Sequence, residues 1–342
     1  MTTRGELLMK TTDKVQFTGR YIPLVIKRKC LSILAIVFRY ILLICLGFII
    51  LTPIYTTFKS GITAQSALGM KNTAWIPPAT SLQSFITGWI ILDYDKAVVL
   101  SLLNTAVLAF LQTLCAALAA YTFARLKFRG SNLLFGLVIF TIIVPSQSIM
   151  LAQYITFRNF DILGIAEVIK GSSMNLIGST SAIYLLAVTG MGVKGGLYIY
   201  ILRQSYRQLP ISIEEAAYVD GAGFLKTFFK IVIPGVSASL TTVSVLSFVW
   251  NYADVYYISL LSPNNWHLPL RLVKIQNNMR WAISDIEKLI PSKYIVEYES
   301  PIVQKAVACA CAILVILPLL ILYVFVQKRF IQGVERSGLG GD

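Results

Sequence analysis

The chain has 342 residues, 56% of them hydrophobic and only 13% charged, and carries a formal net charge of +14. Such a composition excludes an ordinary soluble domain, because several stretches approach the ~20 apolar residues needed to cross a bilayer. It also excludes a nucleic-acid binder: the basic residues collect in the leader and short loops, where they set membrane orientation, and form no binding stripe.

In chain order, residues 1–39 form a basic leader in which Arg4, Lys10, Lys14, Arg20, Lys27, Arg28, Lys29 and Arg39 stand against Glu6 and Asp13. A cytoplasmic leader is expected, since a first apolar run this deep does not fit a cleavable signal peptide. Tyr40–Phe58 is uncharged and as a helix reaches roughly 28 Å, enough for a first span, with Pro53 near its far end. Lys59–Lys96 is too polar to continue it. Val98–Ala124 is the second span, closed by the basic loop Arg125–Gly130. Leu133–Ala152 is the third, with a kink expected at Pro145. Phe157–Gly178 carries charges of both signs and is expected outside.

Ser179–Leu202, the fourth span, is apolar except for Lys194, with Gly190, Gly192, Gly195 and Gly196 around it; Arg203 and Arg207 mark its inner edge. Val236–Leu260 is the fifth span, Ser262–Pro301 an outer loop, and Ala306–Val326 the sixth span, stopped by Gln327-Lys328-Arg329. The expected fold is an all-α integral membrane protein with six transmembrane helices and both termini cytoplasmic. Its parts are the leader at 1–39, a six-helix transmembrane domain at 40–334 and a cytoplasmic tail at 335–342. Basic inner loops and near-neutral outer loops agree with that orientation.

Few residues offer chemistry. None of the five cysteines (Cys30, Cys45, Cys115, Cys309, Cys311) falls in a segment read as external, so no disulfide framework is visible. Cys309 and Cys311 are two apart on a helix, face different ways and read as packing residues. The single histidine, His267, lies in the outer loop beside Trp266 and reads as a surface or docking residue. One histidine, and no paired carboxylate motif within a span, argue against a zinc site and against catalysis. No cofactor is expected.

Between the fourth and fifth spans lies a polar loop, 207–234. Ser212 and Glu215 have capping-box spacing after Pro210, so a helix is expected to start near Ser212. Ala216 and Ala217 favour helix and keep its surface low, and Gly221 and Gly223 supply a turn. A second helix over Phe224–Ile233 is expected to carry Lys226 and Lys230 on one side and Phe228, Phe229 and Ile233 on others, until Pro234 limits it. From pattern alone two readings stand. Either the loop is a knob for a partner protein, with Glu214, Glu215 and Asp220 set to meet arginines, or it is an amphipathic helix seated on lipid.

The spacing then adds a resemblance. Glu215-Ala216-Ala217, three residues, Gly221, nine residues and Ile231-Val232-Ile233-Pro234 resemble the EAA loop of permease subunits in binding-protein-dependent ABC importers, departing only in Ile233 where that pattern has leucine. Ala120-Tyr121-Thr122-Phe123-Ala124-Arg125-Leu126-Lys127-Phe128-Arg129-Gly130 resembles the end of the second span in sugar permeases. Asn104, Pro145-Ser146-Gln147, Trp250-Asn251 and Gln327–Gly333 follow in the same order. The match is to the G-type subunit of maltose-like carbohydrate importers, from about residue 40 onward; the leader lies outside it, and the outer segments Phe157–Gly178 and Ser262–Pro301 diverge from it.

The resemblance implies a transport subunit of a bacterial or archaeal cell membrane that is not itself an enzyme. It implies a second, non-identical permease subunit, two copies of a cytoplasmic ATP-binding subunit docking on the loop through Glu214, Glu215, Ala216, Ala217, Asp220, Gly221, Ile231 and Pro234, and an extracytoplasmic solute-binding protein. Energy must come from such a partner, because the nearest approach to a phosphate loop, Gly221-Ala222-Gly223-Phe224-Leu225-Lys226-Thr227, lacks the glycine before lysine and follows no strand. A non-sugar solute such as a peptide, amino acid or polyol is the alternative cargo, and a membrane scaffold with a non-ATPase partner the alternative class.

Candidate pathway residues are Lys194, Asn251 and Asp254. Lys194 is an ionisable group within a span, open to lining the path, snorkelling outward or pairing with Asp254. Asn251 and Asp254 are able to bind sugar hydroxyls, or Asn251 to tie helices together. Tyr252, Tyr256 and Tyr257 read as sugar-stacking rings or, better, as an interfacial aromatic belt.

Overall fold

The computed structural model describes residues 5–69, 75–161, 164, 167–168, 171–277 and 300–334. The tail read at 335–342, and residues 278–299 of the outer loop read at Ser262–Pro301, lie outside the described residues. The described residues are helical, with only two isolated β-bridges, Thr63 to Thr80 and Phe160 to Met174.

Two units divide the chain at Lys59 and Ser60. The first is carried by α1 (Gly5–Ile62), a single helix that contains both the leader and the first span. Its apolar part begins at Leu31, earlier than composition suggested, and no residue of its most apolar stretch is buried. Leu34, Phe38, Ile44 and Ile49 are all more than half exposed, a surface for lipid or partner helices in place of water.

The second unit contains α2 (Gln83–Leu92), α3 (Tyr94–Arg125), α4 (Ser131–Ile143) and α5 (Ser146–Arg158). After these come α6 (Ser181–Val188), α7 (Gly195–Gln208), α8 (Ile211–Val219), α9 (Phe224–Gly235) and α10 (Ser237–Ala253). It closes with α11 (Tyr256–Leu261), α12 (Leu268–Asn277) and α13 (Pro301–Val334). Helix α3 is the central member, packed against α7 and α10, while α13 packs against α10 and α2.

Three apolar groups hold this arrangement. Tyr94, Tyr252, Leu268, Val307 and Cys311 join α3, α10, α12 and α13. Leu108, Ala182, Leu186, Tyr257 and Leu261 join α3 to α6 and α11. Ala116, Ala120, Tyr198, Leu202, Tyr206, Phe228 and Val243 join α3 to α7, α9 and α10. Small residues on α3 let α7 approach, as expected of helices that cannot rely on water expulsion within lipid.

Among the described residues three helices are long and apolar enough to cross a membrane, or up to five if each bent pair counts as one span. The third span is no gentle kink: Ser131–Ile143 and Gln147–Arg158 meet at 107°. Pro145 sits at the N-cap of α5 with φ −60°, where its missing N–H costs nothing to the new helix but ends the old one. The stretch read as the fourth span is two helices separated at Thr189–Lys194, because the glycine cluster allows the chain to reverse into φ +75° at Gly190. Gly196 has a different role: a Cβ there would lie 2.8 Å from the backbone carbonyl oxygen of Val138, which cannot rotate away, so glycine lets α7 lie this close to α4. The fifth span is entered through an 80° bend between Phe224–Gly235 and Ser237–Ala253.

Candidate functional site

The loop read at 207–234 folds as two helical segments joined by a turn. Helix α8 starts one residue earlier than expected, at Ile211, with Pro210 at the N-cap and no side-chain cap. The capping box expected of Ser212 and Glu215 is therefore not formed, since Ser212 already lies inside the first turn. Gly221 has φ +79°, its N–H donates to Tyr218 O (3.0 Å) and the Ala222 N–H donates to Ala217 O (2.9 Å). That pairing is a Schellman ending, so the fixed glycine of the pattern is the left-handed residue that stops the helix. Gly223, by contrast, has ordinary φ −72°.

On α8, Glu214 and Ala217 are buried, while Glu215, Ala216, Tyr218 and Asp220 are exposed. Glu214 meets an arginine, but of its own chain: Arg125 Nε donates to Glu214 Oε1 at 2.6 Å, and Tyr121 Oη donates to Oε2 at 2.8 Å. Both donors come from the last turns of α3, four residues apart and so on one face. Arg125 Nη2 also donates to Leu209 O (2.8 Å), the carbonyl at the end of α7. One arginine thus ties together the end of α3, the end of α7 and the start of α8. The ion-pair side chains are only 10% and 9% exposed, so removing either partner strands a buried charge, at a cost of about 3–5 kcal/mol.

Aromatic packing fixes the second segment to the same point. The Tyr121 ring lies 5.6 Å from Tyr206, 5.8 Å from Phe224 and 5.0 Å from Phe228. Phe228, expected on the surface of its helix, is 1% exposed and belongs to the core. A π-helical stretch over Phe228–Val232 turns Phe228 and Val232 inward, leaving Ile231 half-buried and Pro234 exposed at the end of the run. Tyr121 and Arg125 were visible only as part of the Ala120–Gly130 stretch; their i, i+4 spacing was the signal that they act as a pair.

The candidate pathway residues separate. The two helix breaks meet at a cavity of about 400 Å³ whose lining includes Pro145, Gln147, Lys194, Trp250, Asp254 and Tyr257. Lys194 caps α7 in the left-handed region with φ +59° and lies over the Trp250 indole, 5.1 Å from its centroid. Asp254 Oδ1 accepts the backbone N–H groups of Tyr256 (3.1 Å) and Tyr257 (3.3 Å), starting α11. Asn251 is away from the cavity, buried, and its Nδ2 donates to Gln112 Oε1 (2.7 Å), which also accepts from Ser247 Oγ (2.6 Å). That network ties α10 to α3.

Two readings of the outer side are overturned. His267 is no surface residue: it is 1% exposed, and its Nε2 donates to Tyr252 O at 2.8 Å, because α12 folds its start into the core. Burial pushes its pKa down to about 4 from 6.5, so it is neutral. Tyr252 belongs neither to a stacking platform nor to an interfacial belt; it is 1% exposed and donates to Val315 O (2.8 Å). Among the described residues no group of three or more His, Cys, Asp or Glu is placed to hold a metal ion.

Known proteins resemble this chain over most of its length. A probable ABC transporter permease protein of Pyrococcus horikoshii is 28% identical over 219 residues, 64% of this chain and 66% of that protein. The maltodextrin transport system permease protein MdxG of Bacillus subtilis is 26% identical over 317 residues, 88% of this chain and 95% of that protein. A crystal structure of a bacterial ABC transporter involved in the import of the acidic polysaccharide alginate contains a chain that superimposes with a TM-score of 0.61 at 20% identity, covering 86% of this chain and 95% of that one. That likeness fixes the fold. Residues 112–336, from within α3 to just beyond α13, match the family model described as a binding-protein-dependent transport system inner membrane component, and the chain belongs to that family.

Proposed function

We propose that this chain is a permease subunit of an ATP-driven carbohydrate importer in a bacterial or archaeal cell membrane. In this reading it spans the bilayer six times, with the bent third, fourth and fifth segments each counted once, and both termini are cytoplasmic. It shares the pathway with a second, non-identical permease subunit, receives solute from an external binding protein and is driven by two copies of a cytoplasmic ATPase. The sugar assignment is supported by relatives such as MdxG, whose name assigns it to maltodextrin transport. ATP hydrolysis belongs to the partner; this chain supplies the handle.

One observation carries the coupling part: α8 presents one carboxylate outward and turns the adjacent one inward. Glu215, Ala216, Asp220 and Gly221 form the exposed side available to the ATPase, with small residues that permit close approach. Ala217 is buried under them, and Ile231 and Pro234 shape the bend leading to α10. Glu214 is bound to Tyr121 and Arg125, so a push on α8 is delivered directly to α3, the helix around which the unit is packed. Rigid linkage of this kind transmits movement without relying on a flexible loop. Lys194 and Asp254 then line part of the pathway, and Asn251 acts by holding α10 to α3.

A charge swap tests the linkage. Arg125→Glu and Glu214→Arg, singly, are expected to lower solute-stimulated ATP hydrolysis and uptake at least tenfold in the reconstituted transporter, and the double swap to recover a substantial part of both. Wild-type coupling in either single variant overturns the reading, as does a double variant no better than the singles.

A further inference from the structure

The coupling reading uses the outer side of α8, whose Glu215 also edges the cleft beside it, and the Arg125–Glu214 pair, and leaves the basic side of that cleft without a role. This cleft, about 860 Å³, lies between the end of α3, the loop Leu126–Gly130, the start of α4 and the elbow between α7 and α8. Five basic side chains line it, Arg125, Lys127, Arg129, Arg203 and Arg207, against two acidic ones, Glu214 and Glu215. Glu214 is already engaged by Arg125. Arg203 is held by its own surroundings, Nε donating to Phe123 O (3.2 Å) and the guanidinium lying 3.8 Å from the centre of the Phe135 ring.

Lys127, Arg129 and Arg207 are exposed and form no ion pair with a described carboxylate. Arg207 also stands four residues from Arg203, a like-charge spacing that is unfavourable without an anion between or beside the pair. Orientation bias accounts for positive charge in a short loop, but it does not require that cations from a loop and from a separate helix converge on one cleft.

The chemistry outside the cleft is apolar. Leu126 and Phe128 stand at its wall, and Leu133, Leu137 and Phe140 continue along one face of α4, each more than half exposed. At 1.5 Å per residue that face extends roughly 10 Å from its first leucine. A basic pocket at a helix end, opening onto an exposed apolar helix face, matches the two parts of a charged lipid. A free phosphate has use for the pocket only, and an acidic protein side chain has no use for the apolar face.

We propose that this cleft binds the headgroup of an anionic phospholipid through Lys127, Arg129 and Arg207, with its acyl chains along α4. The proposal rests on the reading of α3 and α4 as parts of membrane spans whose ends here meet the bilayer surface. A lipid so placed sits beside the Arg125–Glu214 tie, at the joint through which coupling is delivered.

Native mass spectrometry of the detergent-solubilised full chain tests it, with dioleoylphosphatidylglycerol and dioleoylphosphatidylcholine as probes. Phosphatidylglycerol is expected to be retained about tenfold better, and the preference to vanish in the triple variant Lys127→Gln, Arg129→Gln, Arg207→Gln. Arg207→Gln alone, outside the loop, is expected to lower retention at least threefold should the triple variant fail to insert. Millimolar inorganic phosphate is expected not to displace the lipid. Equal retention of the two lipids, or an unchanged preference in Arg207→Gln or the triple variant, overturns the site; displacement by phosphate overturns the lipid as its occupant. Because the readout needs no ATPase and no orientation, a failed charge swap with intact lipid preference removes the coupling reading alone.

Discussion

Gly221 illustrates how a single residue is dictated by backbone geometry. Its φ of +79° has open space around it, so a side chain there would meet no neighbour, yet it would have to occupy the left-handed region at a cost of about 1–2 kcal/mol. A β-branched residue is worse, and it would also place bulk on the exposed end of α8. Gly221→Val is therefore expected to leave insertion intact while lowering solute-stimulated ATP hydrolysis and uptake at least fivefold; Glu215→Arg, on the exposed side, is expected to do the same through charge. Normal uptake and hydrolysis in both variants would show that this surface is not where the ATPase acts.

His267 carries a pH signature. Its pKa is lowered to about 4 by burial, so the folded chain holds it neutral while the unfolded chain protonates it near 6.5. Stability from this site is present above about pH 6.5 and is lost as pH falls toward 4. His267→Gln keeps a donor for Tyr252 O without a titrating group. Thermal unfolding in detergent should fall more steeply with acidification in the wild type than in this variant over that window; parallel curves would mean the histidine is not held neutral.

Among the elements, the helices that sequence placed best are those that need least from their neighbours. The apolar stretches behind α1, α3 and α13 declare themselves by length and hydropathy alone. Ends and bends are another matter. Pro145 announced an interruption but not its size, because the angle depends on what the following helix finds to pack against, here the contact of α5 with α11. The glycine cluster at 190–196 announced irregular backbone without showing that Gly196 is needed for close approach to the Val138 carbonyl of α4. Ser212 and Glu215 had the spacing of a cap, yet Pro210 took that position and moved the helix start.

Glu214 and Glu215 are neighbours of the same type, and nothing local distinguishes them. One is buried because Tyr121 and Arg125, some ninety residues earlier, converge on it. The same holds for Asn251, whose partner Gln112 is 139 positions away. A side chain's role in such pairs is decided by which helix is delivered opposite it.

For the whole molecule, the basic ends of α3 and α7 and the placement of α8 between α7 and α9 predict that the 220–230 loop faces the cytoplasm. Single cysteines introduced at exposed positions such as Lys226, in a background freed of the native cysteines, should react with membrane-impermeant reagents only in inverted vesicles. Labelling from the outside of intact cells would overturn the six-span orientation. Sequence by itself determined that the chain lives in lipid, that a polar Glu-Ala-Ala loop lies between the fourth and fifth apolar segments, and which spacing defines that loop, because hydropathy and turn chemistry are local properties. Only the tertiary structure decided which of the two carboxylates is exposed and which is paired inside, that His267 and Tyr252 are core, and that cations from separate elements share one cleft, because burial and pairing depend on residues that packing alone brings together.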